Sequence, residues 1–183
     1  ANLIPSKFWR LGPMYNYRAE RDDVENDRVD DLDDVSDANE LGIWGGIDWQ
    51  GWYLLFDYLA DTGNAHEGWT AKLAGGYKWP ISKELMFSMG AFTTYADDDY
   101  MQAYFEIDAA DAARSGLQTF DADSGFKDLG LNLTASFKPW EHWGLMGLVS
   151  YKRLLDDAED SPVVDDEGDA NQLMGGILVT YTF

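Results

Sequence analysis

The sequence predicts an all-β protein, an antiparallel up-and-down transmembrane β-barrel of the outer-membrane type, and three observations predict it. Apolar and polar residues alternate over most of the chain, tight turns alternate with long connections that are mostly acidic, and tryptophans gather at one end of the alternating segments. Alternation marks a strand with one apolar face, because successive side chains of a strand point to opposite sides. The regular exchange of short and long connections marks strands that neighbour each other in sequence and in the sheet.

A first strand over about 7–19 leads into an acidic connection over 20–39. Strands over about 40–49 and 52–60 are joined at Gln50-Gly51, a tight turn. A connection over 61–66 precedes strands over about 67–79 and 84–96, which are joined at Pro80-Ile81-Ser82-Lys83. The long connection over about 97–125 carries the one convincing helical stretch, Ala109 to Leu117. The clearest strand follows, in which Leu129, Leu131, Leu133, Ala135 and Phe137 alternate with Gly130, Asn132, Thr134 and Ser136. Pro139-Trp140-Glu141 turns the chain into a strand over about 142–154. An acidic connection over 155–170 then leads to the last strand, with Leu173, Ile177, Val179, Tyr181 and Phe183 on one face. Eight strands result, in one domain over residues 1–183.

Volume decides which way the apolar face points. It carries Trp49, Trp52, Phe56, Tyr58, Trp69, Tyr77, Trp79, Phe87 and further rings, a crowd that would overpack the narrow lumen of a small barrel. The opposite face carries Gly42, Gly46, Asp48, Asp57, Lys72, Gly76, Lys78, Asp128, Asn132 and Lys152, which suit a polar lumen. Trp9, Trp49, Trp52, Trp79, Trp140 and Trp143 lie at strand ends near the short turns, the pattern of an interfacial aromatic girdle. Tyr17, Tyr58, Trp69, Tyr95 and Tyr151 supply a second girdle near the long loops, and the chain ends on the aromatic Phe183.

Composition removes several function classes. The 34 Asp and Glu against 13 Lys and Arg give a net charge of −21, which argues against nucleic-acid binding. Cysteine is absent, so thiolate metal sites, disulfides and cysteine nucleophiles are excluded. The two histidines, His66 and His142, lie far apart in sequence with no companion at ligand spacing.

Several stretches resemble the MipA/OmpV family of outer-membrane proteins, the MltA-interacting-protein-like group. They include Phe8-Trp9-Arg10-Leu11-Gly12-Pro13, Arg28-Val29-Asp30-Asp31-Leu32, Tyr95-Ala96-Asp97-Asp98-Asp99-Tyr100-Met101, Ala112-Ala113-Arg114-Ser115-Gly116-Leu117, Lys127-Asp128-Leu129-Gly130-Leu131 and Tyr151-Lys152-Arg153-Leu154-Leu155. The resemblance implies an outer-membrane β-barrel of a Gram-negative bacterium. For some members it implies a scaffold linking a lytic transglycosylase to a peptidoglycan synthase; other members are porin-like or adhesive. Members usually carry further strands ahead of the segment that Asn2-Leu3-Ile4-Pro5 resembles. The resemblance therefore implies an even number of additional strands, ten to twelve in a complete barrel.

The chemistry that remains is sparse. Loop acids crowd at Asp30, Asp31, Asp33 and Asp34, where hard oxygen donors suit Ca²⁺ or Mg²⁺ bridging to lipopolysaccharide; the competing reading is a solvated charge surface. No other cofactor is expected. His66 and Ser115 in neighbouring long loops would be the pair of a rim-sited hydrolase, although no G-x-S-x-G elbow accompanies them. Trp140, Glu141 and His142, with Gln50, Gly51, Ser82, Lys83 and Glu84, are the short-turn positions that a periplasmic partner could reach. A non-enzymatic scaffold, a porin-like channel and a rim hydrolase are thus the function classes to separate.

Overall fold

A computed structural model describes residues 8–21 and 26–181. Its strands are β1 (Trp9–Arg18), β2 (Ala38–Trp49), β3 (Trp52–Asp61), β4 (Trp69–Pro80), β5 (Leu85–Ala96), β6 (Gly125–Phe137), β7 (Trp143–Leu154) and β8 (Asn171–Tyr181). Each pairs antiparallel with the next, in the order β1 to β8, as the alternation of connections requires. The expected terminal aromatic Phe183 and the segment Asn2-Leu3-Ile4-Pro5 lie outside the described residues. Within them β1 and β8 form the two ends of the sheet and do not pair with each other, so the sheet curls into a barrel wall with two free edges.

Local chemistry sets the hairpins. Gln50 and Gly51 both take positive φ, 49° and 90°, the geometry of a two-residue turn whose twist matches the strands, and Trp49 pairs with Trp52 across it. In the β4–β5 turn the Ser82 hydroxyl accepts the Glu84 and Leu85 amides at 3.1 Å each, and the Lys138 amide donates to the Glu84 carbonyl at 2.8 Å, tying two short turns together.

The fold is inverted relative to a water-soluble domain. Leu131 is 52 % exposed and Ile177 82 % exposed on the barrel surface, whereas the largest fully buried apolar side chains, Met101 and Ile107 at 1 % each, lie in the loops. Two aromatic belts bound the outward face. Trp52, Tyr77, Trp79 and Phe87 form a chain of ring contacts at the short-turn end, with centroids 5.0, 4.9 and 5.7 Å apart. Tyr58, Trp69, Tyr95 and Phe126 form the other at 5.5, 5.7 and 5.5 Å. Strand β4 joins them from Trp69 to Trp79, about 33 Å of strand, or about 25 Å of membrane normal at a tilt of about 40°. No helix of the described residues is long and apolar enough to cross a membrane; the strands do so.

The lumen departs from the expectation of small and charged residues alone. Tyr53, Trp44 and Phe92 also point inward, and glycines make the room: a Cβ on Gly90 would lie 2.1 Å from the Tyr53 hydroxyl, and one on Gly130 would lie 2.3 Å from the Phe92 ring. Large rings fit a narrow barrel when the facing wall carries no side chain.

Outward and inward positions alternate at Leu131, Asn132, Leu133 and Thr134, which gives a direct test. Leu133→Arg is expected to cost on the order of 2–4 kcal/mol near the bilayer midplane, and Asn132→Arg clearly less. Equilibrium refolding into lipid vesicles across a denaturant series measures both.

Candidate functional site

The long connections fold into a cap over one end of the barrel. Its helices are α1 (Asp27–Asp30), α2 (Asp98–Phe105), α3 (Ala109–Ser115), α4 (Asp157–Asp160) and α5 (Pro162–Asp165). The expected helix at Ala109 is α3, capped by the Asp108 carboxylate at its start and by left-handed Gly116 at its end; the other four were not expected. Asp97 starts α2 by accepting the Tyr100 amide at 3.2 Å, and it also takes the Trp69 amide at 2.8 Å, which fixes the helix to β4. Tyr100, Met101, Ala122, Leu154, Ala158 and Val164 form one apolar cluster; Leu32, Ile107 and Leu117 form a second.

Arginines tie the acidic loops together. Arg21 donates to the Tyr104 and Asp33 carbonyls at 3.1 Å each. Arg28 donates to the Ser115 and Gly116 carbonyls at 3.2 and 2.7 Å and pairs with Glu167. Arg114 reaches the Asp31 carbonyl at 3.0 Å, the Asp33 carboxylate at 2.5 Å, and Asp111. Hydrogen bonds from Asn26 and Arg28 hold the Glu167 carboxyl below its usual range. Burial, with Asp121, Asp108 and Asp111 nearby, pushes the Glu106 carboxyl up.

Beneath the cap the lumen is charged in layers. At the short-turn end Arg10 and Lys78 both pair with Asp48. At the loop end Glu40, 1 % exposed, accepts from Arg18 at 2.9 Å, Asn16 at 2.6 Å and His66 Nε2 at 3.1 Å. His66 Nδ1 accepts the Gly68 amide at 3.1 Å, which leaves the ring proton on Nε2 and directed at Glu40. Between these layers lies a cavity of about 490 Å³ whose wall includes Asp57, Lys72, Lys127, Asp128 and Lys152, with Tyr100 of the cap among its lining residues.

The sequence profile of the family described as MltA-interacting protein MipA matches residues 1–183. The chain belongs to the MipA family. It is 25 % identical over 163 residues to the MltA-interacting proteins of Escherichia coli K12 and Shigella flexneri, 89 % of this chain and 63 % of each relative. It is 28 % identical over 106 residues to Escherichia coli YiaT, 58 % of this chain and 42 % of that protein, whose name assigns it provisionally to the outer membrane. The matched segments thus cover about two fifths to two thirds of these relatives' lengths. A MipA-family chain with an apolar, aromatic-belted barrel wall is an outer-membrane protein.

The positions singled out from sequence fall as follows in this MipA-family fold. Asp30, Asp31, Asp33 and Asp34 are all exposed. Asp31 and Asp33 are engaged by Arg114, and Asp34 lies in the field of Arg21. Among the described residues no three His, Asp or Glu side chains converge as metal ligands. Ser115 and His66 are not brought together as a nucleophile and base. The Ser115 hydroxyl donates to the Asp111 carbonyl at 2.8 Å and accepts the Leu117 amide at 3.2 Å, while His66 serves Glu40. Trp140, 58 % exposed, borders an outward apolar hollow with Trp143, Leu145 and Val179; Glu141 is exposed beside it, and the His142 ring lies 5.7 Å from Tyr181. Lumen members missed from sequence are Arg10, Arg18, Glu40 and Lys127. They sit at strand ends, where alternation is hardest to read.

Two outcomes follow for the cap. Arg21→Met removes the donor from two carbonyls and is expected to destabilise the cap by about 1–2 kcal/mol, read as faster amide exchange in α2 and residues 33–35. Burial pushes Tyr100 and Tyr104 up to about 12 from the ordinary 10. Above pH 10 the opened cap therefore loses protons before the closed one does. Cap stability is full below about pH 10 and falls as pH rises through about 12. Tyrosinate absorbance of these rings is expected to appear together with loss of cap protection.

Proposed function

We propose that this barrel is a non-enzymatic scaffold that holds cell-envelope proteins at the outer membrane, with a lytic transglycosylase and a peptidoglycan synthase as its partners. The observation that carries this reading is the family match over the whole chain, with relatives named for interaction with MltA and not for a reaction. The site chemistry agrees: the hydroxyl and imidazole that a rim hydrolase would use are engaged in internal hydrogen bonds of the cap and lumen. With the cap directed outward, the periplasm meets the short turns at Gln50, at Ser82–Glu84 and at Trp140–His142. Trp140 and Glu141 are the contacts offered here, an aromatic anchor beside a charge. Trp140 also has the position of a lipid-interface residue, since it lies on the outward face with Trp143. We further propose that the free edges of β1 and β8 are closed by an even number of additional strands, because only an even number keeps every neighbour antiparallel.

Solubilised protein is expected to retain a lytic transglycosylase in pull-down assays, and Trp140→Ala with Glu141→Lys to weaken that retention at least severalfold. Retention unchanged by both substitutions would place the partner elsewhere. Loss of all retention from the unmodified protein, with clear single-channel conductance in planar bilayers, would replace the scaffold with the porin-like channel.

A further inference from the structure

The lipid-facing wall is not even. Across β3 to β6 the outward positions at one level are Leu54, Gly75, Ala91 and Leu131, each paired with the next. Two small residues thus stand between two leucines, and the pairs Leu73–Thr93 and Tyr77–Met89 flank them along the strands. The result is an open hollow of about 450 Å³. Gly75 and Ala91 form its floor, Trp52, Tyr77 and Trp79 one wall, and Met89 with Leu131 the other. It lies two strands from either free edge, so closure of the sheet leaves it uncovered.

Fixed side chains keep the hollow open. The Tyr77 ring leans away from β5 towards the β2–β3 turn, where a Cβ on Gly51 would lie 2.8 Å from it. Edge-to-face contacts with Trp52 and Trp79 hold it there, at centroid distances of 5.0 and 4.9 Å. In hydrocarbon, association is decided by close packing, and a walled hollow gives an apolar chain more contacts than a flat wall does. Depth selects the chain. Gly75 to Trp79 spans about 13 Å of strand, or about 10 Å of membrane normal at a tilt of about 40°, close to half the distance between the belts. The hollow therefore occupies a single leaflet. It ends at the β4–β5 turn, where Lys83 stands exposed just beyond the aromatic belt, the level of lipid headgroups, while the Glu84 carboxylate accepts from the Ser82 hydroxyl at 2.9 Å.

We infer that the hollow holds one acyl chain of a phospholipid of the short-turn leaflet, with the lipid phosphate at Lys83. That this leaflet is the periplasmic one rests on the orientation proposed above. The site itself rests on the shape of the wall, so it stands or falls apart from the scaffold reading.

Native mass spectrometry of the refolded full chain in a nonionic detergent tests it, with phosphatidylglycerol as the probe and glycerophosphoglycerol, the same headgroup without chains, as the control. One saturable phosphatidylglycerol adduct is expected, and none of the control. Ala91→Phe fills the hollow from its floor and is expected to lower affinity about tenfold. Lys83→Gln is expected to lower it less, since an exposed charge contact contributes little. Heat-modifiable gel mobility verifies that each variant is folded. Gly75→Leu, whose Cβ would have Leu54 Cδ1 at 3.4 Å and the Tyr53 carbonyl at 3.5 Å as nearest neighbours, gives a second reading should Ala91→Phe misfold. No saturable adduct, or unchanged affinity in folded Ala91→Phe and Gly75→Leu, would overturn the inference. Tighter binding of a diacylated lipoprotein peptide than of phosphatidylglycerol would overturn it in favour of a protein's lipid anchor. Loss of a cross-linked dimer in the filled variants, with lipid binding unchanged, would give the hollow to a second copy.

Discussion

Everything in this protein follows from the direction of its apolar face. A strand inside hydrocarbon must satisfy its backbone with neighbouring strands and present apolar side chains outward. The seven antiparallel pairings and the exposed leucines, isoleucines and tryptophans of the wall meet that demand. Few apolar side chains are then left for a central core, Trp44, Tyr53 and Phe92 among them. The lumen is otherwise built from charges and hydrogen bonds, and the larger apolar clusters lie in the loops.

The loops form these clusters in an unexpected way. They are the most acidic part of the chain, which alone would favour extended, repelling segments. Yet Leu32, Ile107, Leu117, Met101 and Val164 supply small clusters, and the few arginines present bridge the loops pairwise. Arg28 joins the first loop to α3 and to Glu167 beyond α5; Arg114 returns from α3 to Asp31 and Asp33. Some of the loop acids act as acceptors in the folded cap: the carboxylates of Asp33, Asp111 and Glu167 take arginine donors from the loops.

The cap and the wall meet at Tyr100. Its ring lies 5.3 Å from the Arg18 guanidinium and 5.1 Å from the His66 ring, so α2 rests on the Glu40 network of the barrel interior. The charged lumen is thereby coupled to the loop fold. Among the described residues the short turns at the other end meet no such cap, and Trp140 and Glu141 stand exposed there.

Strand number, strand order and the outward face were legible in the sequence, because alternation is a local property of each segment and Trp52, Trp79 and Trp143 mark strand ends directly. The tight turn at Gln50-Gly51 and the helix α3 were legible for the same reason: a two-residue turn, an Asp start and a Gly stop are local signals. The partners of the charges were not. Glu40 and His66 lie 26 residues apart and Arg28 and Glu167 139 apart, and no periodicity links residues that meet only when loops close over a curled sheet. The glycine spaces that admit Tyr53 and Phe92 into the lumen and the helices held by cap packing exist only once strands stand in register. The sequence determined the wall through short-range alternation; the tertiary structure decided the cap and the chamber, because their energies come from contacts between distant segments.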